Sequence, residues 1–148
     1  MDADAIAIAK AAAAELLAAA GAFSQPIEPE YKLVPSLELK DLDKVKVQVR
    51  PAGTQRRYLT RSTTAVEYTI EISIRKHAPG NDAHAEKIAE EVILLAQEIE
   101  DWWAFRSLAG REERLVSFGS TDVYQAESLK TKRVIGANVV LVFRGERE

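Results

Sequence analysis

The sequence predicts a single α+β domain over residues 1–148, in which an antiparallel sheet packs against one long helix and an additional helix lies at the N-terminus. Within residues 44–50 and 66–75 apolar residues recur at every second position, and between residues 83 and 106 they recur at intervals of three and four. The first spacing is typical of strands with one buried face, and the second of a helix with one buried stripe. A length of 148 residues suits one domain with its own core.

Residues 3–20 are predicted to form the first helix, because they are rich in alanine, the strongest helix former. Gly21 follows as a C-terminal stop. Asp2 and Asp4 stand where a secretory leader would carry Lys or Arg, so we expect a helix of the mature protein. The residues predicted to share its buried face are Ile6, Ala13, Leu17 and Ala20.

The two alternating segments are predicted to be an antiparallel pair of strands. The first covers residues 44–50 and is expected to end at Pro51; the second covers residues 66–75. Residues 52–64 between them are predicted to form a long polar loop. The side chains predicted to point inward are Val45, Val47 and Val49 on the first strand and Tyr68, Ile70, Ile72 and Ile74 on the second.

The long helix is predicted over residues 83–106, with a core-facing stripe at spacings of four and three. The members of this stripe are Ile88, Val92, Leu95, Ile99 and Trp102. Adjacent residues on a helix point about 100° apart, so Trp102 and Trp103 cannot both face one core. We expect one in the core and the other half-buried, or one as an anchor for a partner.

Shorter strands complete the prediction. Residues 31–34 and 111–117 are candidates for short strands, and residues 122–129 and 134–144 for a closing hairpin. The last segment is apolar on both faces, which indicates a central strand or a strand covered by another subunit.

The residues that usually carry chemistry are scarce in this chain. There is no cysteine, and the two histidines, His77 and His84, flank a Pro-Gly break instead of forming a helical metal-binding pair. Nucleophile-elbow, dinucleotide-binding and P-loop motifs are absent. We therefore predict no catalytic, cofactor-binding or metal-ligating residue. No apolar run reaches the ~18 residues that a membrane span requires, so no membrane partner is expected.

Charge is distributed unevenly. Residues 44–66 carry six basic residues and no acid, whereas residues 82–101 carry seven acids and one base. Opposite charge on two patches would steer association between subunits and set their register. The predicted subunit-interface residues are Arg56, Arg57, Arg61, Glu90, Glu91 and Trp103. The alternatives are that the arginines contact nucleic-acid phosphate or simply face solvent.

The order of elements is accompanied by Phe23-Ser24-Gln25-Pro26, Pro35 and Leu39-Lys40-Asp41-Leu42, which leads into the Val45–Val49 strand and Pro51. In this layout the chain resembles the tail terminator, or tail completion, proteins found among the head–tail joining proteins of tailed bacteriophages. The resemblance covers nearly the whole chain, but its short motifs carry no chemistry.

The resemblance implies a structural virion protein that forms a six-membered ring. That ring caps the tail tube protein and joins it to the head–tail connector, or stopper, protein. It further implies assembly in the host cytoplasm, a place in the tail or neck of the virion, and passage of DNA through the lumen without sequence specificity.

Other functions remain open at this point. The chain could be another head–tail connector or minor tail protein, a nucleic-acid-binding module that uses the basic segment 44–61, or an enzyme with an unrecognised site. Steep salt dependence of DNA binding would favour the nucleic-acid module. A deep polar pocket with strongly shifted pKa values would favour the enzyme.

Overall fold

A computed structural model describes residues 3–34, 44–78, 82–121, 124–125 and 134–147. It confirms an α+β fold. In chain order the elements are α1 (Ala3–Ala18), a 3-10 turn (Ala20–Ala22), β1 (Glu30–Tyr31), β2 (Lys46–Tyr58), β3 (Thr64–His77), α2 (Asp82–Trp103), β4 (Arg114–Ser120), β5 (Tyr124–Gln125) and β6 (Val134–Arg147).

The strands form one sheet in the order β1-β2-β3-β6-β4, with β5 also paired to β6. The sheet is mixed, because β1 runs parallel to β2 while the other pairs are antiparallel. The β6 strand lies between β3 and β4, which is the first of the two predicted alternatives, a central strand or a strand covered by another subunit. Its residues Ala137, Val139, Leu141 and Phe143 are buried on the helix side, whereas Val140 and Val142 on the opposite face are half-buried.

The core lies on one face of the sheet, where both helices pack. Alternate residues of β2, β3 and β6 form a single cluster with the buried sides of α1 and α2. The predicted inward residues of β3 are all buried, as are Val47 and Val49, while Val45 is partly buried. α1 packs mainly over β2, and α2 mainly over β6. The sheet is thus covered by two helices rather than by the long helix alone.

Pro51 does not end β2, contrary to the prediction for the first alternating segment. A bulge between Pro51 and Gly53 shifts the register, and β2 continues to Tyr58 in antiparallel pairing with β3. Proline cannot donate to the ladder, and a bulge accommodates such a residue within a strand. Most of the predicted loop is therefore strand, and only residues 59–63 form the turn.

The buried face of α1 also differs from the prediction. Of the predicted residues, Ala13 is buried and Ile6 and Ala20 are partly buried, but Leu17 is 53% exposed, whereas Ile8 and Leu16 are fully buried. An alanine-rich helix has little contrast between its faces, so its sequence pattern is ambiguous. The larger pair Ile8 and Leu16, eight residues apart, lies on the side that packs against the sheet.

In α2 the predicted stripe is confirmed for Ile88, Val92, Leu95 and Ile99, all of which are buried. The helix ends at Trp103 rather than at residue 106. The prediction that one tryptophan is buried and the other half-buried is confirmed, with Trp103 as the buried one.

Several predicted features lie outside the described residues. These are Pro35, the Leu39–Leu42 motif, the break at residues 79–81, and the hairpin strand at residues 122–129 apart from Tyr124–Gln125.

Candidate subunit interface

The hairpin formed by β2 and β3 ends in an exposed arm, defined here as residues 55–62, all of which are exposed. Arg56 and Arg57 lie on β2, and Arg61 lies in the turn. Arg56 pairs with the core-facing Val66, so it projects on the helix side of the sheet, and Tyr58 shares that side. Arg57 projects on the opposite side. The three arginines of the predicted interface are thus together on the arm but do not share one face.

The turn of the arm is closed by local hydrogen bonds. The backbone N–H groups of Leu59 and Thr60 donate to the Thr63 carbonyl at 2.9 and 3.1 Å. The Thr60 hydroxyl accepts from the N–H groups of Ser62 and Thr63 at 3.3 and 3.0 Å. Such threonine and serine turns replace backbone pairing at a chain reversal, which explains why this polar sequence folds into a defined tip.

Of the other three basic residues of the 44–61 segment, Lys46 and Arg50 lie on β2 in the body of the sheet, and Lys44 is exposed just before that strand. Lys46 Nζ lies 3.2 Å from Glu30 Oε1, and Arg50 Nη2 lies 2.9 Å from Glu71 Oε1. Burial acts to raise the pKa of Glu30, but the hydrogen bonds from Gln48 and Lys46 outweigh it and lower that pKa. The arm therefore carries three of the four exposed basic residues of the segment.

The outward side of α2 forms a second surface, called here the outer face of α2. It has exposed polar residues along its centre and two exposed apolar residues, Ile93 (47%) and Leu94 (51%), beside them. The exposed polar residues of the helix are His84, Glu86, Lys87, Glu90, Gln97 and Asp101. Three of these six side chains are acidic and one, Lys87, is basic, so the face carries a net negative charge where the arm is positive.

Other acids of α2 make contacts within the chain. Glu91 Oε2 lies 3.7 Å from Lys76 Nζ on β3. Glu98 accepts from the Ser24 backbone N–H at 3.0 Å, and Glu100 accepts from the Ser120 hydroxyl at 2.9 Å. Of the two predicted interface acids, Glu90 therefore lies on the outer face, whereas Glu91 faces β3.

The assignment of Trp103 to a subunit surface is wrong, because its side chain has no exposed area. Its ring packs edge-on against Phe143 with centroids 6.1 Å apart, and against Trp102 with centroids 4.9 Å apart. The partly exposed Trp102 is stacked beneath the Arg106 guanidinium, 4.1 Å from the ring centroid. The helix periodicity favoured Trp102 for the core, but α2 ends at Trp103, and the final turn places Trp103 over β6.

A groove of about 730 Å³ lies beside the start of α1, the start of β4 and the end of β6. Asp4 on its wall forms ion pairs with Arg111 (3.7 Å) and with Arg147. Arg111 Nη2 also donates to Glu113 Oε1 at 2.7 Å. Burial acts to raise the pKa of Glu113, but Arg111 outweighs it and holds that pKa below its ordinary value. A carboxylate kept ionised in this way stabilises the fold and is poorly suited to donate a proton.

His77 is the last residue of β3, and His84 lies in the first turn of α2. Within the described ranges, no group of three or more side chains is arranged to hold a metal ion. In the same part of the chain no helix is both long and apolar enough to cross a membrane. The absence of catalytic, cofactor-binding and metal-ligating residues stays a prediction.

Comparison with known proteins does not identify a relative: no family model matches the sequence, and no curated protein does.

Sequence reasoning did not find the apolar residues of those surfaces. Ile93 and Leu94 fall outside the buried stripe of α2. Their position outside this stripe is the sequence feature from which their exposure could have been predicted. Tyr58 and Leu59 appeared to belong to a solvated loop, because the continuation of β2 past Pro51 could not be read locally.

Proposed function

We propose that this chain is a structural subunit of a head-to-tail ring, and that the ring terminates the tail tube of a tailed bacteriophage. The observation that carries the proposal is the presence of two different exposed surfaces of opposite charge, the arm and the outer face of α2. A head-to-tail contact joins two different patches and closes into a ring when the rotation between subunits permits. The positive arm and the negative face would steer this association and select its register.

The tail-terminator assignment adds partners to the ring. In this proposal six copies form the ring, one side of which meets the tail tube protein and the other the head–tail connector or stopper protein. DNA passes through the lumen, and the ring is assembled in the host cytoplasm and retained in the virion neck. The layout of elements supports this assignment over other connector or minor tail proteins.

Particle mass and shape test the proposal. Purified protein should give closed rings of six 16.4 kDa chains in mass measurements and negative-stain images. It should also bind one end of purified phage tail tubes. A chain that stays monomeric at its highest soluble concentration, and that does not bind tube ends, would contradict the proposal.

A nucleic-acid-binding module is the second candidate, because Tyr58 (86% exposed) stands among the arm arginines. An exposed aromatic ring beside positive charge can stack on bases of single-stranded nucleic acid. This alternative predicts that the affinity of the monomer for DNA falls steeply with salt. It also predicts that the affinity drops when Tyr58 is replaced.

A further inference from the structure

The arm and the outer face of α2 match in apolar character as well as in charge. Tyr58 (86% exposed) and Leu59 (47% exposed) lie at the arm tip, and Ile93 (47%) and Leu94 (51%) lie on the outer face. We propose that Tyr58 and Leu59 of one copy seat on Ile93 and Leu94 of the next copy. This inference rests on the proposed ring, and it names the apolar centre of the ring contact.

Charge alone is too weak to hold such a ring together. Exposed ion pairs typically contribute about fivefold or less each in an equilibrium constant. Stable interfaces depend instead on a few buried anchors, among which tyrosine and arginine are enriched. The arm presents both residue types beside an exposed leucine, within a stretch that contains no acid.

The outer face of α2 has the complementary composition. Its acids Glu86, Glu90 and Asp101 run along the exposed side of the helix, and Ile93 and Leu94 flank that row on its two sides. The exposed Lys87 lies on the Leu94 side, so the three acids outnumber one base on this face. An arm laid across this face would cover both apolar side chains and bring Arg56, which shares the Tyr58 side, over the acids. The occupant inferred for this face is therefore the arm of a second copy.

The two faces of the arm make the contact directional. Tyr58 projects on the helix side of the sheet together with Arg56, whereas Arg57 projects on the opposite side. The Tyr58 side is the one that meets the neighbour. Arg57 is left facing away from the apolar centre and contributes less to assembly than Tyr58 does.

Site-specific crosslinking tests the contact, and the chain contains no cysteine of its own. Leu59→Cys protein is mixed with Leu94→Cys protein, and a short bismaleimide is added. A head-to-tail contact predicts crosslinked dimers in the mixture, and none with either variant alone. The double variant should give a ladder that ends at the ring size. Leu17→Cys, an equally exposed leucine on α1 (53%), should not crosslink to Leu59→Cys.

Association measurements supply the second readout. Tyr58→Ala should weaken ring formation by about 30-fold, the usual effect at an interface anchor, while Leu17→Ala should leave it unchanged. Folding of each variant is checked by circular dichroism of the monomer.

The outcomes separate the contact from the proposed function. If wild-type rings form but Leu59→Cys does not crosslink to Leu94→Cys, the contact is wrong and the ring stands. If Tyr58→Ala assembles normally and loses only salt-dependent DNA affinity, the arm is a nucleic-acid element and the contact is again wrong. If no ring forms from the wild type, both proposals fail.

Discussion

Replacing Leu16 and Leu17 one at a time by alanine tests which face of α1 is buried. Leu16 has no exposed area, whereas Leu17 is 53% exposed. Leu16→Ala removes three buried carbons, worth about 2.4 kcal/mol at roughly 0.8 kcal/mol per methylene group. The cavity left behind brings the expected loss in the free energy of unfolding to about 2.5–5 kcal/mol. Leu17→Ala should change it by about 0.5 kcal/mol or less.

Urea unfolding followed by circular dichroism measures both variants against the wild type. Samples are kept at concentrations where the midpoint does not depend on protein concentration, so that assembly does not contribute. Similar slopes in urea for all three proteins would show that the midpoints report stability. Equal losses for the two variants, or a larger loss for Leu17→Ala, would refute the packing of α1 described above and would favour the face predicted from sequence.

The other predictions concern backbone strain and pH. Phe105 has a left-handed backbone (φ 64°) and is fully exposed, so Phe105→Gly should stabilise the protein by about 0.5–1 kcal/mol in thermal unfolding; destabilisation would contradict this. Gly110 (φ 75°) has open space around its Cβ position, so Gly110→Ala should cost about 1–2 kcal/mol through the backbone alone, and an unchanged melting temperature would argue against that conformation. The lowered pKa of Glu113 means that its ionised form stabilises the fold above the unfolded-state pKa of about 4.5, and that this contribution is lost as the pH falls through the lower folded-state pKa. Glu113→Gln should therefore lower the free energy of unfolding at neutral pH and reduce its further loss on acidification. Glu112→Gln, at an exposed neighbouring position, should have neither effect. If the free energy of unfolding depends on pH identically in the two variants, Glu113 does not have this role.

Much of the fold is encoded locally. The alternation in β3 identified its inward residues, and the stripe of α2 identified four of its core residues, because burial on one face forces the matching period on the sequence. The two apolar faces of β6 predicted either a central strand or one covered by another subunit, and the central position is the one observed. These patterns needed only the residues of the element itself.

The candidate interface was less accessible from sequence. The sign of charge on the arm and on α2 was visible, and Arg56, Arg57, Arg61 and Glu90 are exposed as an interface would require. The apolar residues of the two surfaces were missed. For Tyr58, the exposure depends on where β2 ends, and the end of β2 depends on how far this strand pairs with β3.

By itself the sequence determined the fold class, the period of each main element and the separation of charge between the basic segment and α2. Tertiary structure alone decided that β2 continues through Pro51, that α1 buries Leu16, that Trp103 is enclosed, and that Glu91 faces Lys76. The physical reason is that these outcomes depend on partners far away in sequence. Trp103 is enclosed by Phe143, and β2 extends because β3 is there to pair with it. A local sequence pattern indicates which residues can be buried. Which of these residues are in fact buried depends on how the elements pack together.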